Sequence, residues 1–179
     1  NESGSVRGRF IGSYMDGDSY IDRYSRDKSV VYGIVETDLT ENTLVSVAMD
    51  KTKVNSRGVY NWSSNPAFYT DGTLIDHDVS FSTGQPWAHR FIEQWSITPY
   101  VQHDFDSGWI VKAIYRFAKA TQDVSNASFG AYVDKATGDL VGAAASHSLF
   151  SGRKSDTESF NIVTTGSFGL FGRDHDVVL

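Results

Sequence analysis

The sequence predicts an all-β fold, an antiparallel transmembrane β-barrel sheet, from three observations. Apolar and polar residues alternate with period two over long runs. Short polar hinges alternate with excursions of up to about three dozen residues, far beyond ordinary connections. Aromatic residues stand beside the short hinges. Barrel strands that cross an outer membrane combine these features: segments of about 10 residues, short turns at one end, long loops at the other, and aromatic girdles between.

The runs, taken in order, each present one apolar face. Val6, Gly8, Phe10, Gly12 and Tyr14 oppose Arg7, Arg9 and Ser13. Val31, Val35 and Leu39 oppose Glu36 and Asp38, and Val45, Val47 and Met49 oppose Ser46, Asp50 and Thr52. From Phe91 to Phe105 the odd positions carry Trp95, Ile97, Pro99 and Val101, broken by Glu93 and His103. Trp109, Val111, Tyr115 and Phe117 share a face, although Ile110 and Ile114 interrupt the polar one. A hairpin is expected at Asp134 to Asp139, flanked by Phe129–Val133 and Leu140–Ala145. Phe160, Ile162, Phe168 and Leu170 oppose Asn161, Thr165 and Ser167.

Three hinges define the plain end of the sheet: Thr40–Glu41–Asn42, Asp106–Ser107–Gly108 and Arg173–Asp174–His175. Phe105 and Trp109 flank the second, and Phe168 and Phe171 the third, at girdle positions. Arg7 and Arg9 start one strand and Glu36 and Asp38 end the next, so cross-strand pairing on the polar, lumen-facing side is expected. A soluble sheet with one wet face gives the same alternation. A complete small outer-membrane barrel and a soluble lipocalin-like barrel therefore stand as alternatives.

Composition narrows the function. The net charge of −6 and a pI near 5.2 argue against a nucleic-acid partner. With no cysteine, disulfides, thiolate metal sites and cysteine nucleophiles are excluded. No run of about 18 apolar residues occurs, so no transmembrane helix is encoded. The chain opens on Asn1 and closes on "HDVVL", still reading as a strand, which suggests a piece of a longer protein.

The stretch "VRGRFIGSYMDGDSYIDRYSRDKSVVYGIVETDLTENTLVSV" resembles the first barrel strands of TonB-dependent siderophore receptors, closest to the ferripyoverdine and ferric-coprogen type. "HDFDSGWIVKAIYRF" and "GSFGLFGRDHDVVL" look like later segments of the same family. The firmest points are Arg7–Gly8–Arg9, Asp22–Arg23–Tyr24, Asp38–Leu39–Thr40 and Leu170–Phe171–Gly172–Arg173. The resemblance implies that residues 1–179 are a partial receptor barrel domain, the first strands of a barrel of about 22 strands, with no plug domain and no closing C-terminal strand. It further implies a bacterial outer-membrane receptor for a ferric siderophore, not an enzyme, with lipid around it and the TonB complex as partner through a plug and TonB box. No resident cofactor is implied, since iron enters only inside its chelate. This sequence departs from the family in two places. Lys51 stands where an aromatic is usual, on a lipid-facing rim from which it must reach the headgroups. Ser63 and Ser64 replace glycines before Pro66, while Asp71 and Gly72 remain.

The loop from Val54 to Arg90 carries Tyr60, Trp62, Phe68, Tyr69 and Trp87. A ferric chelate is large, partly apolar and already coordinatively saturated, so its receptor supplies aromatic walls and hydrogen bonds rather than iron ligands. Tyr60, Trp62 and Trp87 are the candidates for such walls, with Arg57 to favour an anionic chelate. The same aromatics serve equally well to pack the loop on itself. His77 and His175 each sit in Asp–His–Asp, but adjacent residues of an extended chain point to alternate sides and do not converge on a metal. "TTGSFG" lacks the first glycine and the helix of a nucleophile elbow and reads as a barrel strand. "NWS" and "NAS" match the glycosylation sequon, which has no meaning in a bacterial outer membrane.

Overall fold

The computed structural model describes residues 4–60 and 65–179. They form one sheet of seven antiparallel strands, each paired with its neighbours in sequence. The strands are β1 (Val6–Asp18), β2 (Ser25–Thr40), β3 (Thr43–Arg57), β4 (His89–Asp104), β5 (Ile110–Val133), β6 (Leu140–Leu170) and β7 (Arg173–Val178). Lengths of 13 to 31 residues in the first six far exceed the usual soluble strand of about 5–6.

The register turns the alternation into two continuous faces. Val35 pairs with Val47 and Val47 with Pro99, while Met49 pairs with Ile97 and Ile97 with Phe117. Tyr115 pairs with Phe160 and Ala113 with Ile162, carrying the same apolar face onto β6. Those side chains lie open: Phe160 is 62% exposed and Val47 39%. On the opposite, inward face Ser46 is 5% exposed and Ser96 1%. Small polar residues are thus covered and large apolar ones bare, the inverse of a water-soluble core. From Trp95 to Phe105 the chain runs roughly 33 Å at about 3.3 Å per residue, and a tilt of about 40° reduces this to about 25 Å, the height of an outer-membrane apolar band.

The interruptions in the alternation have physical reasons. Glu93, on the outward face, lies 2.8 Å from Lys51 and 3.5 Å from Lys53. His103 shares a hydrogen bond of 2.8 Å with Thr43 and packs edge-on against Phe105. Inward, the Tyr100 hydroxyl donates to Gln102 at 2.7 Å. Trp109 lies over Gly166, where a Cβ would meet its ring at 2.2 Å, so Gly166 in "TTGSFG" is the seat of a girdle tryptophan. Arg7 and Asp38 form a two-pronged ion pair at 2.6 and 3.0 Å. Arg9 forms no ion pair among the described residues, and Glu36 faces Arg7 across the β1–β2 register.

Two of the expected hinges stand where the sequence placed them. Thr40 pairs with Thr43 around Glu41–Asn42, and Gly108 at φ 83° closes the turn between β4 and β5. The third is displaced: the turn is Phe171–Gly172, and Arg173, Asp174 and His175 belong to β7. Phe171 and Gly172 both have positive φ, 51° and 73°, the signature of a tight hairpin that follows the twist of its strands. A bulky aromatic rarely takes that conformation, which is why the polar triplet looked the better turn. The separate runs around Trp109–Lys119 and Phe129–Val133 are one strand, and its hairpin with β6 projects beyond the apolar band.

Arginine at the outward Ile162 is expected to destabilise the assembled barrel by about 2–4 kcal/mol, and at Val47 likewise. Asn161→Arg, one residue away on the inward face, should cost little. Urea refolding into vesicles measures all three variants, and equal penalties at positions 161 and 162 would contradict the assignment of faces.

Candidate functional site

Elaboration is confined to the end opposite the short turns. There the β1–β2 loop meets the long β3–β4 loop, residues 58–88. The Asp22 N–H donates to the Ser80 carbonyl at 2.8 Å, and the Arg23 guanidinium donates to the Ser82 carbonyl. The Gly58 N–H donates to Ala88 at 2.8 Å and closes the base of the long loop. Backbones touch at this crossing: a Cβ on Gly58 would lie 1.9 Å from the Arg23 carbonyl oxygen, and one on Gly84 would lie 2.1 Å from that of Gly58. Gly58 also has φ +64°, a conformation that costs an L side chain about 1–2 kcal/mol. Ser82 and Ala88, each 1% exposed, fill the centre.

Farther out, the long loop folds a small hairpin in which Phe68 bridges Leu74. It docks on the tip of the β5–β6 hairpin. Thr70 N–H donates to the Val133 carbonyl at 2.9 Å, and Val133 N–H to Phe68 at 3.2 Å. Lys135 reaches Asp71 at 3.4 Å and lies 5.2 Å from the centre of the Tyr69 ring. The Thr73 hydroxyl and then the Thr73 N–H, with Lys135 behind them, hold the Asp71 carboxyl below the usual carboxylate range. Beneath the dock His77 stacks on Phe81 at 3.9 Å, with its Nε2 2.6 Å from the Pro66 carbonyl oxygen. His77 is therefore a packing residue of the loop. Among the described residues no cluster of His, Asp or Glu is placed to hold a metal ion.

Between these loops and the inward face of β2–β5 lies an open cavity of about 470 Å³. Its walls include Tyr24, Tyr60, Arg26, Arg90, Ile92 and Asn126. Register explains the arginines: Ser56 pairs with Arg26 on one side and Arg90 on the other, setting both on one inward row. Adjacent strands lie about 4.8 Å apart, so the two guanidinium groups stand roughly 10 Å apart at their roots. Neither forms an ion pair among the described residues, and both are exposed to the cavity. The Tyr24 hydroxyl lies 3.5 Å from Ser56 Oγ, which fixes its ring beside them. Such a site suits an anionic ligand with flat or apolar surface.

Of the residues singled out in the sequence, Tyr60 lines this cavity. Trp62 lies outside the described residues. Arg57 is turned away: it occupies the outward face of β3, 3.3 Å from Asp27 and over the Phe91 ring. Trp87 is half-exposed and packs edge-on against His147, also off the cavity wall. β3 runs to Arg57 before the loop begins, so strand parity rather than loop position decides where Arg57 points. Tyr24, Arg26, Arg90 and Asn126 were not anticipated. Extending the alternation outward from Val31 and Phe91 finds the two arginines.

No family model matches the chain. It is 31% identical over 184 residues to the ferripyoverdine receptor of Pseudomonas aeruginosa, covering 99% of this chain and 21% of that one. It is 27% identical over 177 residues to the ferric-pyoverdine BN7/BN8 receptor of Pseudomonas putida, with the same coverage. The crystal structure of the Pseudomonas aeruginosa outer-membrane ferripyoverdine receptor bound to ferripyoverdine superposes with a TM-score of 0.85 at 28% identity. That match covers 99% of this chain and 23% of the receptor. The chain thus spans about a fifth of the length of the curated relatives it matches.

Two expectations follow from the outer assembly. Gly58→Ala should unseat the Arg23 crossing, seen as lost hydrogen-exchange protection at the Asp22 amide while the strand amides stay protected. The lowered Asp71 pKa stabilises the docked hairpin fully above the ordinary aspartate value of about 3.9, and this support disappears as pH falls below it through the native value. Exchange at Thr70 and Val133 should accelerate over that acid range. In Lys135→Ala, which loses one of the groups that lower this pKa, the acceleration should begin at higher pH. In sequence and in architecture, the chain is a barrel segment of the ferripyoverdine-receptor type of outer-membrane protein.

Proposed function

We propose that this chain forms one wall of the outer mouth of a receptor that binds an Fe(III)–siderophore of the pyoverdine class and takes it up with TonB-supplied energy. The observation that carries this reading is the cavity at the elaborate end of the sheet, where Arg26 and Arg90 stand beside Tyr24 and Tyr60. Whole-chain similarity to receptors named for ferripyoverdine supports the ligand class. Uptake involves binding and passage, not bond chemistry on the ligand, so the reading is of a receptor and transporter rather than an enzyme.

In this reading the chelate keeps all of its iron ligands. The arginines neutralise its peripheral anionic groups, with planar donor pairs suited to carboxylate and hydroxamate edges. The tyrosine rings offer flat apolar surface, and Ile92 and Val54 floor the site. No resident metal or cofactor enters the scheme, because iron is cargo. The TonB contact would be made elsewhere in the receptor, through the plug and its TonB box.

The test uses the full-length receptor and a ferric pyoverdine, followed by quenching of tryptophan fluorescence. Tyr60→Ala combined with Arg90→Ala should weaken binding by about thirtyfold or more, the loss expected of a central anchor, with the barrel still assembled. Arg57→Ala, outward and paired with Asp27, should leave affinity unchanged. The opposite pattern would refute this site.

A further inference from the structure

Directly above the apolar band, the outward face carries a small grid of charge across four strands. One row, read through the register, is Lys51, Trp95, Lys119 and Asp156; the next row outward is Lys53, Glu93, Thr121 and Lys154. Below it Ile97 and Phe117 begin the band, with Glu158 opposite Phe117 on β6. The matching inward rows, Asp50–Ser96–Ala118–Thr157 and Thr52–Gln94–Ala120–Ser155, contain no cation. The lysines are therefore placed by face as well as by height.

Their charge is incompletely neutralised. Lys51 and Lys53 share the single carboxylate of Glu93, at 2.8 and 3.5 Å. Lys119 reaches Asp156 only at 3.7 Å, and Lys154 is exposed without an ion pair among the described residues. Lys51 and Lys53 are more than half exposed, so their ammonium groups face outward rather than into the sheet. A lysine on a lipid-facing strand extends along apolar surface and ends at the headgroup level, where Trp95 also sits.

We propose that this grid binds the phosphate groups of phosphorylated lipid headgroups in the outer leaflet. Excess positive charge, its position at the upper edge of the band, and its confinement to the lipid side all favour that occupant. Lysine suits it, since an ammonium on a flexible stem follows a mobile phosphate without demanding one geometry.

The experiment uses the full-length protein in detergent, titrated with phosphorylated lipid A or with its dephosphorylated form while the melting temperature is read. The phosphorylated lipid should raise the melting temperature, less so at high salt, and the dephosphorylated lipid should not. Apparent affinity should fall about fivefold for each of Lys51, Lys53, Lys119 and Lys154 changed to Gln. Arginine at the same positions should preserve it. Equal effects of both lipids, or an unchanged response in the Gln variants, would overturn the proposal. Should the multiple variant not assemble, Glu93→Gln serves instead. It frees Lys51 and Lys53 and should tighten binding, and an unchanged or weakened response would overturn the proposal.

Discussion

Backbone hydrogen bonding governs this molecule, because hydrocarbon offers no other partner for an N–H or C=O. A strand crossing the bilayer must stay in register with both neighbours, and the register irregularities obey that demand. The shift between Asp38 and Thr40 lies at the turn end of β2, and those at Gln122/Val124 and Gly130/Tyr132 lie in the projecting hairpin. In that hairpin β6 carries the extra residues, with Gly152 and Gly142 at positive φ. Within the band the ladder lapses opposite Pro99, where β4–β5 pairing passes from Ile97↔Phe117 to Tyr100↔Ile114. Proline has no N–H to contribute, so its gap interrupts the ladder without stranding a donor.

An unbroken register makes parity absolute, and parity distributes function. A residue's place in the alternation decides whether it meets lipid or lumen, whatever its chemistry. The outward face accepts cations only above the band, while the inward face tolerates Lys112 and Arg116 at mid-height. Beyond the membrane that discipline relaxes. Loops cross there, and glycines at Gly58 and Gly84 let backbones touch where side chains would hold them apart. Contact between the β1–β2 and β3–β4 loops shapes the cavity, and the dock on β5–β6 holds the outer loop over it.

Period-two alternation and short hinges were legible because both are local in sequence. Thr40 to Thr43 and Asp134 to Asp139 declare their turns through polar side chains that bond their own backbone, as Asp134 does to Ala136 and Thr137. Phe171 was illegible as a turn residue, since nothing in its chemistry announces a positive φ. The site was harder to read. Tyr60 could be picked out as an aromatic near a strand end, but Arg26 and Arg90 lie beyond the counted runs and become neighbours only through Ser56. Arg57 misled because proximity to a loop was weighed above its parity within β3.

Two kinds of cation occupy similar heights on opposite faces, and their chemistry matches their surroundings. Arg26 and Arg90 look into a walled cavity, where a rigid planar fork distinguishes one anionic ligand from another. Lys51, Lys53, Lys119 and Lys154 look toward a fluid boundary, where a point charge on a flexible stem is enough. Exchanging the types would sacrifice fit on the inside and gain nothing outside, because a mobile headgroup offers no fixed geometry for a fork to match. Reading a barrel strand for function therefore needs the face, the height and the geometry of each charge together.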